Sequence, residues 1–105
     1  MPYGLTQQEF ESILNVFRQH PEVEKAVLFG SRAMQNFRPG SDVDIAIYGD
    51  QMSFNDFLSL KNNIDDLEIL QEIDLVIFES IDSADLKDHI LRVGVCIYNR
   101  KSEFN

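Results

Sequence analysis

The sequence is poor in several features that mark specialised classes of protein. It has a single cysteine, Cys96, so no disulfide can form within the chain. The apolar neighbours Val95 and Ile97 predict a buried thiol. No apolar run approaches the roughly 20 residues that cross a bilayer, and the first ten residues lack the basic and apolar segments of a signal peptide. From these absences we expect no membrane span and a cytoplasmic location.

Basic residues are also scarce. Nine Lys and Arg stand against 18 Asp and Glu, and the net charge of -9 repels a phosphate backbone, so a nucleic-acid partner is not expected. The charge is uneven, because the segment from Lys25 to Ser41 contains no acid, whereas Lys25, Arg32 and Arg38 lie in it. This segment predicts a site for a small anion, with chance clustering as the alternative.

Helical and strand patterns alternate along the chain. With 105 residues, 44% of them hydrophobic, the sequence predicts one domain over residues 1–105. Thr6 and Glu9 fit a capping box for a helix from 7 to about 19. Further helical segments are predicted at 31–37, 54–67 and 84–93, and strands at 25–29, 42–48, 73–78 and 95–98. The expected fold class is α/β (α+β), with a small mixed central sheet flanked by helices.

Two predicted strands carry aspartates among apolar residues. Asp42 and Asp44 share one face of the second strand, and Asp74 can converge with them if the third strand is its neighbour. Three close carboxylates repel one another, and a divalent cation such as Mg²⁺ resolves the repulsion. The two histidines, His20 and His89, lie elsewhere, and His89 is interpreted as a surface or packing residue. A turn-capping role for Asp42 and a strand-start role for Asp74 remain the alternatives.

A glycine and a serine follow the first strand. Gly30 lets a ligand approach the backbone, and Ser31 can offer its hydroxyl and neighbouring amides to a phosphate. Arg32 and Arg38 either contact the same anion or lie in a solvated loop, and Ser41, in the turn before the aspartates, is included in the predicted nucleotide-binding set. A phosphate cradle beside a carboxylate cluster predicts a site for a nucleoside triphosphate.

The stretch "GSRAMQNFRPGSDVDIAI" resembles the signature of the DNA polymerase beta-type nucleotidyltransferase superfamily, in which ten residues separate Gly-Ser from Asp-x-Asp. The resemblance extends through "VEKAVLFGSRA", "IDLVIFES" and "LKDHILRVGVCIY", and is greatest to the minimal stand-alone members. It implies the nucleotidyltransferase fold, with Gly30 and Ser31 holding the triphosphate. It also implies that Asp42 and Asp44 bind two Mg²⁺ (or Mn²⁺) ions. Asp74 would complete one metal site and help to activate the acceptor hydroxyl.

The resemblance also shows one departure. Relatives often carry a lysine and a glycine where this chain has Met34 and Gln35.

The resemblance further implies a reaction of the EC 2.7.7 type. A hydroxyl attacks the α-phosphorus of a nucleotide, in this case ATP, so that AMP is transferred and pyrophosphate leaves. Because the predicted fold takes up the whole chain, the acceptor is expected on a separate small helical protein of the HEPN or substrate-binding type, as in toxin–antitoxin pairs whose enzyme adenylylates the toxin. A scaffolding module without catalysis and a metal- or nucleotide-sensing domain are the alternatives, and homo-oligomerisation is left open.

Overall fold

Helices and strands alternate in the computed structural model, which describes residues 2–103. The helices are α1 (Gln7–Arg18), α2 (Gly30–Met34), α3 (Phe54–Asp65), α4 (Ala84–Val93) and α5 (Arg100–Glu103). The strands are β1 (Lys25–Phe29), β2 (Val43–Tyr48), β3 (Ile73–Ile77) and β4 (Val95–Asn99). The fold class predicted from the sequence is confirmed. None of the described helices is both long and apolar enough to span a membrane.

The four strands form one mixed sheet in the order β3-β2-β1-β4. β1 pairs antiparallel with both β2 and β4, whereas β2 and β3 are parallel. Phe29, the last residue of β1, is the register partner of Asp44, and Asp44 is in turn the partner of Asp74. The carboxyl end of β1 and the amino ends of β2 and β3 therefore meet at the same end of the sheet.

The two longest helices begin at capping boxes. The Thr6 hydroxyl accepts a hydrogen bond from the Glu9 N–H at 3.0 Å, and Glu9 Oε1 accepts one from the Thr6 N–H at 2.8 Å. Ser53 and Asp56 make the same reciprocal pair at the start of α3, both at 3.0 Å. These bonds satisfy amide groups that have no partner within the helix, so the start of each helix is fixed by local sequence.

Apolar side chains cover both faces of the sheet. Phe17 of α1 packs with Leu28 and Ile45 in the larger core, which also includes residues of α3. Ile90 of α4 packs on the opposite face with Ala46 and other strand residues. A sheet buried on both faces explains why its strands read as nearly continuous apolar runs. Asp44 lies on the α4 face, two residues before the fully buried Ala46, and is itself half-buried.

The prediction of a buried thiol was wrong, since Cys96 is exposed. Cys96 lies in the edge strand β4 opposite Val27, and the next pairing joins Tyr98 to Ala26, so β4 contains one extra residue at this point. Such a bulge changes which face successive side chains occupy. Tyr98 consequently enters the larger core, while Cys96 is exposed. Apolar neighbours in sequence do not reveal this shift.

The boundaries of several elements differ slightly from the predicted ones. The second strand begins at Val43, so Asp42 precedes it, and the third ends at Ile77, because a short 3₁₀ turn starts at Phe78. The third helix ends at Asp65 and the short second helix at Met34. These differences lie within the usual uncertainty of element ends.

Candidate active site at the end of the sheet

Asp44 and Asp74 form the centre of the candidate site. They are register partners in the parallel pair of β2 and β3, so their side chains lie on the same face of strands about 4.8 Å apart. Asp44 is half-buried and Asp74 is exposed. Asp42 is exposed just before β2 begins. The structure thus brings the predicted aspartates to one end of the sheet, and it shows that the second and third strands are neighbours.

The electrostatics at Asp44 reflect this crowding. Partial burial raises the pKa of Asp44 above its ordinary value, and the negative charges of Asp74 and Asp42 raise it further. The positive charge of Arg32 opposes the shift without cancelling it. Negative charge on Asp44 is therefore disfavoured in the protein alone, and a cation between the carboxylates would relieve the repulsion.

Gly30 meets Asp44 at the turn after β1. Its φ of +73° lies in the left-handed region that favours glycine. A Cβ at this position would stand 2.5 Å from Asp44 Oδ2, which is closer than such atoms can approach. Glycine is therefore needed here both for the turn and for the contact with the carboxylate. Ser31 follows directly at the start of α2 and is half-buried.

Arg32 does not lie where the predicted phosphate contact would require. Its side chain is buried, with only 1% of its surface exposed. The guanidinium donates to the carbonyl oxygens of Tyr3 at 2.7 Å, Ser41 at 2.6 and 3.1 Å, and Asp42 at 3.3 Å. Because its donors are used within the protein, Arg32 is placed to hold the loop that leads to Asp42 rather than to contact a ligand.

Arg38 and Ser41 form a turn within the same loop. The Arg38 N–H donates to the Ser41 hydroxyl at 3.0 Å, and the Ser41 N–H donates to the Arg38 carbonyl at 2.9 Å. The Arg38 side chain is exposed, and that of Ser41 is half-buried. Phosphate contacts by these two residues stay predictions, and the structure leaves the Arg38 cation at the surface of the loop.

His89 is a site residue that sequence reasoning missed. Its Nε2 accepts a hydrogen bond from the Gly30 N–H at 3.3 Å. Its ring meets that of Phe29 edge-on, with 6.2 Å between the centroids. A signal was present in the sequence, because His89 lies three residues after Leu86 and next to Ile90, at the spacing of the inward face of α4. That spacing predicts contact with the sheet rather than a surface position.

The donor set at this end of the sheet suits a hard divalent cation. Carboxylate oxygens are preferred ligands of Mg²⁺, which often takes one or two carboxylates and completes its shell with phosphate oxygens and water. Among the described residues, no group of three or more His, Cys, Asp or Glu side chains is arranged so that it could hold a metal ion by itself. The residues present therefore fit a metal that arrives with the phosphates of a ligand, and a site of three carboxylates stays a prediction.

A cleft of about 560 Å³ lies at the other end of β2. Lys25, Tyr48 and Asn99 contribute to its lining, together with acidic Glu24 and Glu79. The aspartates of the candidate site do not line it, and its mixed charges do not converge on one type of ligand. Gly30 and the aspartates therefore remain the better candidate.

A mixed sheet with a Gly-Ser turn beside aspartates of two parallel strands is the architecture of an α+β nucleotidyltransferase domain. The family model described as "Polymerase beta, Nucleotidyltransferase" matches residues 11–103. The chain belongs to this family. None of the curated proteins matches it.

Solved structures support the same fold. A chain in a toxin–antitoxin complex with AMP-PNP is 21% identical, with 90% of this chain and 76% of that chain covered and a TM-score of 0.70. A chain in the complex of a tri-AMPylated HEPN toxin with the MNT antitoxin, from Shewanella oneidensis, is 20% identical. The match covers 94% of this chain and 76% of that chain, with a TM-score of 0.66. A chain of the MntA–HepT toxin–antitoxin pair is 20% identical, with 93% of this chain and 76% of that chain covered and a TM-score of 0.66.

Proposed function

We propose that this protein transfers the AMP group of ATP, with Mg²⁺ or Mn²⁺, to a hydroxyl of a separate HEPN-type helical protein. The observation that carries the proposal is the position of Gly30 and Ser31 beside the register pair Asp44 and Asp74. Membership in the nucleotidyltransferase family supports the reaction class. The similar complexes that contain AMP-PNP or an AMPylated HEPN toxin support the choice of nucleotide and partner.

The reaction exchanges one bond to phosphorus for another. The acceptor oxygen bonds to the α-phosphorus, the bond from that phosphorus to the pyrophosphate oxygen breaks, and the hydroxyl proton passes to a base. Gly30 and Ser31 would hold the departing phosphates. Asp74, which is exposed, would orient the acceptor hydroxyl or take its proton. Bound to Asp42, Asp44 and Asp74, Mg²⁺ would neutralise the phosphates and the charge that develops on the attacking and leaving oxygens.

The raised pKa of Asp44 is consistent with this role. Its carboxylate is disfavoured by burial and by the neighbouring charges of Asp74 and Asp42. A cation offsets all three effects, because it replaces the missing hydration and attracts the same charges that repel each other. The residues would therefore bind the metal and nucleotide together more readily than either alone.

The experiment co-expresses this chain with a HEPN-type helical protein, taken from the adjacent gene if that gene encodes one. The purified pair is incubated with Mg²⁺ and each of the four ribonucleoside triphosphates in turn, and the partner is analysed by intact mass. We expect the partner to gain one or more AMP groups from ATP, and Asp44→Asn to abolish the gain. Asp50→Asn, which removes an acid outside the candidate site, is the matched control and should retain it. A partner that binds but is unmodified by every nucleotide would contradict the proposal.

Binding without transfer is the second candidate function. Two observations favour it: Met34 and Gln35 stand where relatives often have lysine and glycine, and no described group of three potential ligands is arranged for a metal. The same experiment separates the two functions. If the chain only scaffolds its partner, wild type and Asp44→Asn will co-elute with it equally and neither will modify it.

A further inference from the structure

His89 connects α4 to the turn of the candidate site across 59 positions of the sequence. Its Nε2 accepts the Gly30 N–H at 3.3 Å, and its ring packs edge-on against Phe29. Phe29 is the register partner of Asp44, and Gly30 lies against the Asp44 carboxylate. One side chain of α4 thus contacts both residues of the strand end next to Asp44.

The hydrogen bond defines which ring nitrogen of His89 acts as the acceptor. A ring nitrogen that accepts a hydrogen bond carries no hydrogen, so this bond places the ring hydrogen on Nδ1 and leaves Nε2 as the acceptor. The bond also solves a local problem, because the Gly30 N–H lies beyond the end of the β1 ladder and needs a partner from elsewhere. α4 supplies that partner.

We propose that His89 is a positioning residue for the nucleotide: its Nε2 holds the Gly30 turn and so keeps Ser31 at a fixed place relative to Asp44. This inference rests on the proposed role of Gly30 and Ser31 in binding the triphosphate. A turn built on glycine has wide conformational freedom unless something restrains it. Restraining it before the ligand arrives raises affinity, since less conformational freedom is then lost on binding.

Two substitutions separate the effect of the hydrogen-bond acceptor from the effect of side-chain size. His89→Leu removes the acceptor but keeps an apolar group beside Phe29, whereas His89→Gln restores an acceptor oxygen at similar reach. Leu91→Gln, on the exposed side of the same helix, is the matched control. Circular dichroism checks that each variant is folded.

The first measurement is hydrogen exchange of the Gly30 amide, followed by NMR in the nucleotide-free protein. We expect exchange to be about fivefold faster in His89→Leu, as for the loss of one hydrogen bond, and near the wild-type rate in His89→Gln and Leu91→Gln. Unchanged exchange in His89→Leu would overturn the proposal, because the bond would then not restrain the turn.

The second measurement is the affinity for Mg²⁺-ATP by calorimetry. We expect a Kd about fivefold higher in His89→Leu and within about twofold of wild type in His89→Gln. Faster exchange with unchanged affinity would overturn the positioning role and leave His89 purely structural. If wild type binds no Mg²⁺-ATP, the proposed function fails and this inference fails with it, while the exchange rates still report on the hydrogen bond, so the two failures can be told apart.

Discussion

Gln35 ends α2 with a backbone conformation that a side chain disfavours. Its φ of 61° and ψ of 27° lie in the left-handed region, which favours glycine. Because glycine has no Cβ, we expect Gln35→Gly to raise the free energy of unfolding by about 0.5–1 kcal/mol. Urea unfolding followed by circular dichroism measures the change.

The chain contains a matched control for Gln35. Gln19 is also a glutamine at a helix C-cap, but its φ is -80° and its ψ is -7°, in the right-handed region. Gln19→Gly should lower the free energy of unfolding by about 0.5–1 kcal/mol, since glycine only adds freedom to the unfolded chain there. If Gln35→Gly also lowers the free energy of unfolding, backbone strain does not act at Gln35.

Asp44 should make the metal-free protein less stable at neutral pH. Its folded-state pKa is raised, so its favourable contribution is fully present below the unfolded pKa of about 3.9 and is lost as the pH rises through the folded pKa. Asp44→Asn removes this dependence. We expect the variant to equal or exceed wild type above the folded pKa, by up to about 1 kcal/mol after screening by water.

Urea unfolding in chelator across a pH series tests the role of Asp44. The difference between Asp44→Asn and wild type should disappear at low pH, where both side chains are neutral, and Asp50→Asn should show little difference throughout. A variant that is clearly less stable at neutral pH would mean that the Asp44 carboxylate accepts hydrogen bonds that hold the fold together. Asp44 would then be withdrawn from the proposed metal site.

At the scale of elements, the loop between α2 and β2 depends on one buried cation. Arg32, in α2, donates to the carbonyl groups of Ser41 and Asp42 at the end of this loop that leads into β2, and to that of Tyr3 near the amino terminus. A lysine at this position keeps the charge but not the fork of donors. We expect Arg32→Lys to lower the free energy of unfolding by about 3 kcal/mol, because several buried carbonyls lose their partner.

Arg38 provides the comparison for Arg32 within the same loop. Its side chain is exposed, so Arg38→Lys should change the free energy of unfolding by less than about 0.5 kcal/mol. Urea unfolding of both variants measures the contrast, and calorimetry with Mg²⁺-ATP shows whether Arg38 contributes to binding. Equal stability of the two variants would contradict the role assigned to Arg32.

The elements themselves were largely predictable, because their signals are local. Capping residues such as Thr6 and Ser53 and the continuous apolar runs of the strands gave the element order and the fold class. The surroundings of Arg32, His89 and Cys96 were not predictable in the same way. Arg32 is buried by carbonyls of residues remote in sequence, His89 bonds to a residue 59 positions away, and Cys96 is exposed by a bulge in strand pairing. Each depends on tertiary contacts that composition and periodicity do not contain.

At the scale of the whole molecule, nucleotide binding should depend on a divalent cation. The candidate site concentrates the acidic residues Asp42, Asp44 and Asp74, which repel a triphosphate in the absence of metal. We expect ATP to bind in Mg²⁺ and to show little binding in chelator, as measured by calorimetry. At a ligand concentration of about 100 times Kd, Mg²⁺-ATP should also add about 2.7 kcal/mol to the free energy of unfolding.

The control for metal dependence is Asp74→Asn, which keeps the shape of the site but removes one carboxylate. It should weaken binding in Mg²⁺ while Asp50→Asn does not. Equal affinity for ATP in Mg²⁺ and in chelator would exclude a metal from the binding site, whatever the state of the aspartates.

The parallel pairing of β2 with β3 also has a consequence for synthesis on the ribosome. Asp44 and Asp74 are register partners, yet they are 30 residues apart (74 − 44), and His89 follows later still. At about 5–20 residues per second, Asp74 is added roughly 1.5–6 seconds after Asp44. The hairpin of β1 and β2 therefore emerges with its Gly-Ser turn and first aspartates but without the strand and helix that complete the site. Under the proposed function, ATP would stabilise the chain only after β3 has joined the sheet, so the newly made protein would reach that point without help from a nucleotide.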